Sequence, residues 1–249
     1  MNDARRILGL IDLTNLEDSC TKDDIRALAA KAETPHGNVA ALCVWPDFVD
    51  IASDLVSGSG VDVVTVVNFP GGDGDLSDAV AAARRAIALG ASEIDTVIPY
   101  RALADGDEGA VAVHVREMAA ACEGARLKTI LETGELKNEA LVRTASRIAI
   151  ENGADFIKTS TGKVAVNATL DAARWMLEEI RASGRTDVGL KPAGGIRTVE
   201  DARAYLALAD EVMGEGWARK PTFRFGASSL LGSVLEVLGE GAAGTGGGY

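Results

Sequence analysis

The chain has 249 residues, 47% hydrophobic and 25% charged, with a formal net charge of −12. That length suits one large α/β domain or two small ones, and the apolar content is enough for a sizeable core. A surface this acidic disfavours nucleic acid as a partner, so any phosphate bound is expected to be small and held locally.

The opening MNDARRILGL is read as a short N-terminal helix; it lacks the apolar region of a secretory signal. The first β-rich run begins near Leu8 (LGLIDLT), followed by TKDDI, a capping box with Thr21 as N-cap. Runs two and three begin near Val39 (VAALCVW) and Val61 (VDVVTVVNF), and LSDAVAAARRAIALG then shows helical spacing ending in glycine. The fourth run begins at Glu93 (EIDTVIPY) and the fifth near Leu127 (LKTILETG), before the amphipathic NEALVRTASRIAIENG. The sixth begins near Asp155 (DFIKTST), with DAARWMLEEIRASG behind it. The seventh begins near Val188 (VGLKPAGG), followed by TVEDA, a second capping box with Thr198 as N-cap. The eighth begins near Thr222 (TFRFGASS), and GEGAAGTGGGY, residues 239–249, reads as a flexible Gly-rich tail.

Eight alternating strand and helix units without a linker predict a single (β/α)8 TIM barrel over residues 1–249. An open doubly wound sheet is the alternative, and no GxGxxG follows the first strand to favour it. No run approaches the roughly 18 apolar residues of a membrane span, so no membrane partner and a cytoplasmic location are expected. Three cysteines, Cys20, Cys43 and Cys122, suggest neither a disulfide framework nor a thiolate metal site. The two histidines are far apart; His114 reads as a helix-packing residue, and no metal site is expected.

One internal echo singles out two residues. LGASEIDTV and NGADFIKTS share a Gly-Ala helix end and then a charged residue inside the strand, which makes Asp95 and Lys158 equivalent positions of the fourth and sixth units. Alternate strands of a barrel contribute to one layer, so a carboxylate and an amine are expected to face each other near the mouth. The plain alternative is that Lys158 snorkels to water or pairs with a neighbouring acid. Against it, only eight of the 25 cationic residues are lysines, yet Lys158 and Lys191 end adjacent strands. Lysine, unlike arginine, can lose its proton and become a nucleophile.

An ordinary lysine at pH 7 is neutral only to roughly 0.04%, given a reference pKa of about 10.4. A second ammonium about 6 Å away at an effective dielectric of about 20 repels it by about 2.8 kcal/mol, or about two pKa units. With desolvation acting in the same direction, Lys158 is expected near about 7 to 8, with Lys191 as its electrostatic activator.

Two stretches have an anion-binding character. KPAGGIRT supplies the backbone of Gly194 and Gly195 before a helix, and GASSLL places Ser228 and Ser229 at the start of the last one. Loops after strands seven and eight are the usual phosphate site of such barrels. Gly162 and Lys163 offer a further backbone donor and a cation; the first glycine of a Walker A loop is missing at Ile157, so a nucleoside triphosphate does not follow. The plain alternative is ordinary turn chemistry. Asp12, read as ending the first strand, and Cys43 in the second are weaker candidates for facing the cavity.

In LIDLTNL, TVVNFP, EIDTVIPYRAL, LETGELK, GADFIKTSTGKVAVNAT, GLKPAGGIRT and FRFGASSLL the chain resembles the deoxyribose-phosphate aldolases, in that family's order and over essentially the full length. The resemblance implies a class I aldolase that reversibly cleaves 2-deoxy-D-ribose 5-phosphate to D-glyceraldehyde 3-phosphate and acetaldehyde, without metal or cofactor. It implies Lys158 as the Schiff-base residue, Lys191 as the amine that perturbs it and Asp95 as the proton-transfer group. Phosphate would meet Gly162, Lys163, Gly194, Gly195, Ser228 and Ser229. Asp12, Thr14, Leu16, Cys43 and Thr161 would surround the sugar, and Tyr249 matches a tail tyrosine that moves a proton in some members. A homodimer or other homo-oligomer is expected. Another Schiff-base sugar-phosphate aldolase, of the transaldolase kind, and a non-catalytic sugar-phosphate-binding barrel are the competing readings.

Overall fold

The computed structural model describes residues 2–243. Eight parallel strands alternate with helices: β1 (Ile11–Asn15), β2 (Ala41–Val44), β3 (Asp62–Val67), β4 (Glu93–Val97), β5 (Arg126–Ile130), β6 (Phe156–Lys158), β7 (Gly189–Lys191) and β8 (Phe225–Ala227). They pair in the order β8-β1-β2-β3-β4-β5-β6-β7. Parallel bridges Leu190 to Phe223 and Ala193 to Gly226 bring β7 beside β8 and close the ring. This is a (β/α)8 barrel.

The last three strands are shorter than their apolar runs suggest, and TVIPY divides: β4 stops at Val97 and Tyr100 opens a helix, α5 (Tyr100–Ala104). Other helices are α1 (Asn2–Leu8), α2 (Lys22–Ala32), α3 (Val49–Leu55), α4 (Leu76–Ala88), α6 (Glu108–Ala121), α7 (Thr133–Leu136), α8 (Glu139–Glu151), α9 (Leu170–Ser183), α10 (Val199–Met213) and α11 (Leu230–Ala243). Helix α11 therefore runs into the segment expected as tail. A small antiparallel hairpin, Glu33–Thr34 with Gly37–Asn38, had no signal in the sequence pattern.

Both expected capping boxes form: Thr21 accepts from the Asp24 N–H and Thr198 from the Asp201 N–H, with each aspartate reaching back. Each such cap stabilises its helix by about 1 kcal/mol. Among the described residues no helix is long and apolar enough to cross a membrane.

The period of two along each strand divides the core. Ile11, Leu13, Leu42, Val63, Ile94, Leu127, Ile157 and Leu190 join the large cluster shared with the helices. Ala41, Cys43, Val64 and Val66 form a second cluster with Leu16, which is the apolar wall inside the barrel on the β2–β3 side. The opposite half of the interior is charged.

Candidate active site

Seven ionisable side chains fill that half, each almost fully buried: Asp12 on β1, Glu93 and Asp95 on β4, Lys128 on β5, Lys158 ending β6, Lys191 ending β7 and Arg224 just before β8. Lys158 and Lys191 are register partners across β6 and β7. Both of their Nζ atoms donate to the same oxygen, Asp95 Oδ2, at 2.8 Å each. They therefore lie no farther apart than twice that distance. Lys191 Nζ is also 2.6 Å from Asp12 Oδ2. Below this layer Lys128 bridges Asp95 Oδ1 at 3.0 Å and Glu93 Oε2 at 2.5 Å. Arg224 binds Asp12 Oδ1 at 2.6 Å and Glu93 Oε1 at 2.7 Å. Gly226 makes room for this arrangement, since a Cβ there would stand 2.8 Å from Ala193 Cβ and 3.2 Å from Lys191 Cε.

The partners of each amine decide which one gives up its proton. A buried ammonium is costly unless carboxylates pair it, and the two amines are paired unequally. Lys191 is not the one: burial alone would lower its pKa, but Asp12 and Asp95 outweigh that and hold it above the ordinary lysine value. Lys158 has one carboxylate partner and only its own burial, reinforced by Lys191, acting against the charge; its pKa is lowered. Burial, not Lys191, is the largest cause, and Asp95 opposes it, which corrects the ranking expected from repulsion. Asp95 sits well below the carboxylate range because Lys128, Lys158 and Lys191 together overcome its burial.

Above Lys158 a cleft of about 500 Å³ opens at the carboxyl ends of the strands. Of the expected residues, Thr14, Leu16, Lys158, Thr161, Gly162 and Lys163 line it, as do Gly194, Gly195, Ser228 and Ser229. Asp95 and Lys191 lie beneath its floor. Asp12 and Cys43 do not line it. Asp12 is the second residue of β1, not its end, and is spent on Lys191 and Arg224. Cys43 belongs to the apolar wall, where burial pushes its thiol up and keeps it protonated at neutral pH. Tyr249 lies outside the described residues.

Arg197 and Asn167 line the cleft without having been expected there. Glu93, Lys128 and Arg224 carried a legible signal, a charge in the middle of an apolar strand, but strand ends bear charges for many reasons. A second cavity of about 460 Å³, between the 71–74 loop and α5–α6, is mostly apolar. Its His114 is tied to Thr96 at 2.9 Å and pushed down to about 4 by burial. Among the described residues no group of three or more His, Cys, Asp or Glu side chains is placed to hold a metal ion.

A charged barrel with a lysine nucleophile candidate under a glycine-rich rim has known relatives. The model of the DeoC/LacD family aldolases matches residues 6–234. This chain belongs to that family. Among solved structures it is similar to the aldolase QR15, at 30% identity over 95% of this chain and 98% of that one, with a TM-score of 0.81. It is also similar to a tetrameric deoxyribose phosphate aldolase from Aeropyrum pernix, at 26% identity, 96% and 93% coverage and a TM-score of 0.78. A protein from Coccidioides immitis, provisionally named a deoxyribose-phosphate aldolase, is 31% identical over 94% of this chain and 87% of that one, with a TM-score of 0.83.

The network is expected to make the protein acid-sensitive. Asp12, Glu93 and Asp95 all have folded-state pKa values depressed by the buried cations, which outweigh their burial. Their contribution is therefore present above the unfolded values of about 4 and lost as pH falls through the folded ones. Thermal melts between pH 6 and 2 are expected to show a loss of about 3 kcal/mol or more beginning below about pH 4, because each protonation strands a buried cation. A stability curve flat to pH 2.5 would rule this out.

Proposed function

We propose that the chain is a class I aldolase that reversibly cleaves 2-deoxy-D-ribose 5-phosphate to D-glyceraldehyde 3-phosphate and acetaldehyde. The observation that carries this reading is a lysine at the floor of a cleft of about 500 Å³, lowered in pKa and sharing one carboxylate oxygen with a second, charged lysine. Neutral Lys158 attacks the aldehyde carbon of the open-chain sugar, and the carbinolamine loses water to form an iminium. Asp95, in contact with Lys158 Nζ, takes and returns the protons of these steps. The iminium accepts the electron pair of the C2–C3 bond as the C3 hydroxyl loses its proton, releasing glyceraldehyde 3-phosphate. The enamine left behind is protonated at C2 and hydrolysed by water to acetaldehyde and free lysine. Lys191 keeps its proton throughout, which disfavours a positive charge on resting Lys158.

Phosphate recognition falls to the rim: the Gly162 and Gly194–Gly195 backbone, Lys163, and Ser228–Ser229 ahead of α11, where an N-terminal helix end favours an anion. Thr14, Leu16 and Thr161 flank the sugar. The assembly is inferred to be a homo-oligomer, as the Aeropyrum pernix protein is a tetramer, and the phosphorylated substrate fits a cytoplasmic enzyme.

Borohydride reduction in the presence of acetaldehyde is expected to leave one ethyl group, on Lys158, when the protein is digested and sequenced by mass spectrometry. A label on any other lysine would sink the mechanism. Comparing cleavage of deoxyribose 5-phosphate with that of fructose phosphates separates this activity from the transaldolase kind.

A further inference from the structure

Glu132 is the buried carboxylate that the barrel network leaves aside. It follows β5, has no exposed surface, and sits at φ 55, ψ 58, a left-handed conformation that a residue with a Cβ keeps only when its surroundings hold it there. Its two oxygens divide the two donors of Thr161: Oε1 accepts from the backbone N–H at 3.2 Å and Oε2 from the hydroxyl at 2.6 Å. That hydroxyl in turn accepts the Lys163 N–H at 3.0 Å. An ionised carboxylate supplies two acceptors and no donor, so it satisfies both Thr161 hydrogens at once and leaves the hydroxyl lone pair for Lys163. The flanking backbone locks the same two segments together, with Leu131 N–H on Lys158 O and Thr133 N–H on Thr159 O, both at 2.9 Å. They touch again at Gly134, where a Cβ would clash with the Val166 carbonyl oxygen. The turn after β5 is thus the bed on which the loop after β6 lies.

We propose that Glu132 is a positioning residue for phosphate recognition, fixing the Thr161–Lys163 turn in the shape that presents the Gly162 N–H and the Lys163 ammonium to the substrate phosphate. The backbone N–H groups of Thr161 and Lys163 are committed to Glu132 Oε1 and Thr161 Oγ1, while that of Gly162 has no partner among the described residues. The inference rests on the sugar-phosphate reading of the cleft and assigns it a residue that touches neither substrate nor Lys158. A glutamine at 132 keeps the shape but offers one acceptor and two donors, so one Thr161 hydrogen loses its partner.

The test uses Glu132→Gln and Thr161→Val, with kcat/KM on deoxyribose 5-phosphate and on unphosphorylated 2-deoxyribose, and titration calorimetry with inorganic phosphate. In both variants the preference for the phosphorylated sugar is expected to fall roughly tenfold, and phosphate to bind more weakly by a similar factor, as for loss of a hydrogen bond to a charged group. A merely structural role would lower both substrates alike and leave the ratio and the phosphate affinity unchanged, which overturns the proposal. If Glu132→Gln does not fold, Thr161→Val, close in shape to the wild type, decides alone. A wild type that binds phosphate without cleaving deoxyribose phosphate would end the functional reading while the titration still judges Glu132; a wild type that binds no phosphate overturns both.

Discussion

Replacing Lys158 by methionine is expected to reduce cleavage of deoxyribose 5-phosphate by more than about 10⁴-fold, the scale seen when a covalent nucleophile is removed, and yet to leave the protein at least as stable as the wild type. The activity loss follows because Lys191, the neighbouring amine, is held charged by Asp12 and Asp95 and cannot substitute. The stability gain follows from removing a buried ammonium whose burial outweighs its one carboxylate partner, Asp95. The pH dependence carries the sign. The folded-state pKa of Lys158 lies below its unfolded value, so the unfolded chain binds more protons at this site. Its cost is therefore largest at low pH and shrinks as pH rises toward the unfolded pKa of about 10.4. The excess melting temperature of Lys158→Met over the wild type should be greatest near pH 6 and vanish toward pH 10. Residual activity above a hundredth of wild type, or a variant less stable at every pH, would remove Lys158 from its assigned role.

The site is unevenly legible in the sequence, for physical reasons. Apolar runs of the β period, alternating with segments of the helical one, locate all eight strands, because a parallel barrel buries both faces of every strand and leaves few polar interruptions. That same feature makes the interruptions legible: Asp95 and Lys158 stand out, and their shared distance from a Gly-Ala helix end places them in corresponding strands. Asp12 is legible as a charge in the first strand but not as a counter-ion, because only the pairing of β8 with β1 brings Arg224 to it. Glu93, Lys128 and Arg224 needed the closed ring to become one network, since their ion pairs join residues 33 to 212 positions apart. Glu132 left no mark at all. Nothing in LETGEL signals a left-handed backbone at the glutamate, and its partner Thr161 belongs to the next βα unit.

Replacing Lys191 by methionine is expected to reverse the standing of Lys158. Removing that ammonium takes away a like charge within reach of Lys158 and frees Asp95 Oδ2 from its second donor, and both changes raise the Lys158 pKa. At a separation near 5 to 6 Å the repulsion alone is about 3 kcal/mol for an effective dielectric of about 20, or about two pKa units. The acidic limb of the kcat/KM profile should therefore move up by about two pH units, with activity at pH 7 falling by up to about a hundredfold and partly returning at pH 9. The pairing acts in the same direction: with Lys191 gone, Asp95 Oδ2 keeps Lys158 as its cation partner, which favours the protonated form of Lys158. Should the Lys158 pKa thereby rise above its unfolded value, its contribution to stability is present below about pH 10.4 and lost as pH rises through the folded value. Lys191→Met is thus expected to melt earlier in alkali than at neutral pH, the opposite trend to Lys158→Met. Because the two variants are predicted to diverge in opposite pH directions, an acidic limb that stays in place while overall activity drops would mean that Lys191 shapes the pocket without setting the charge of the nucleophile.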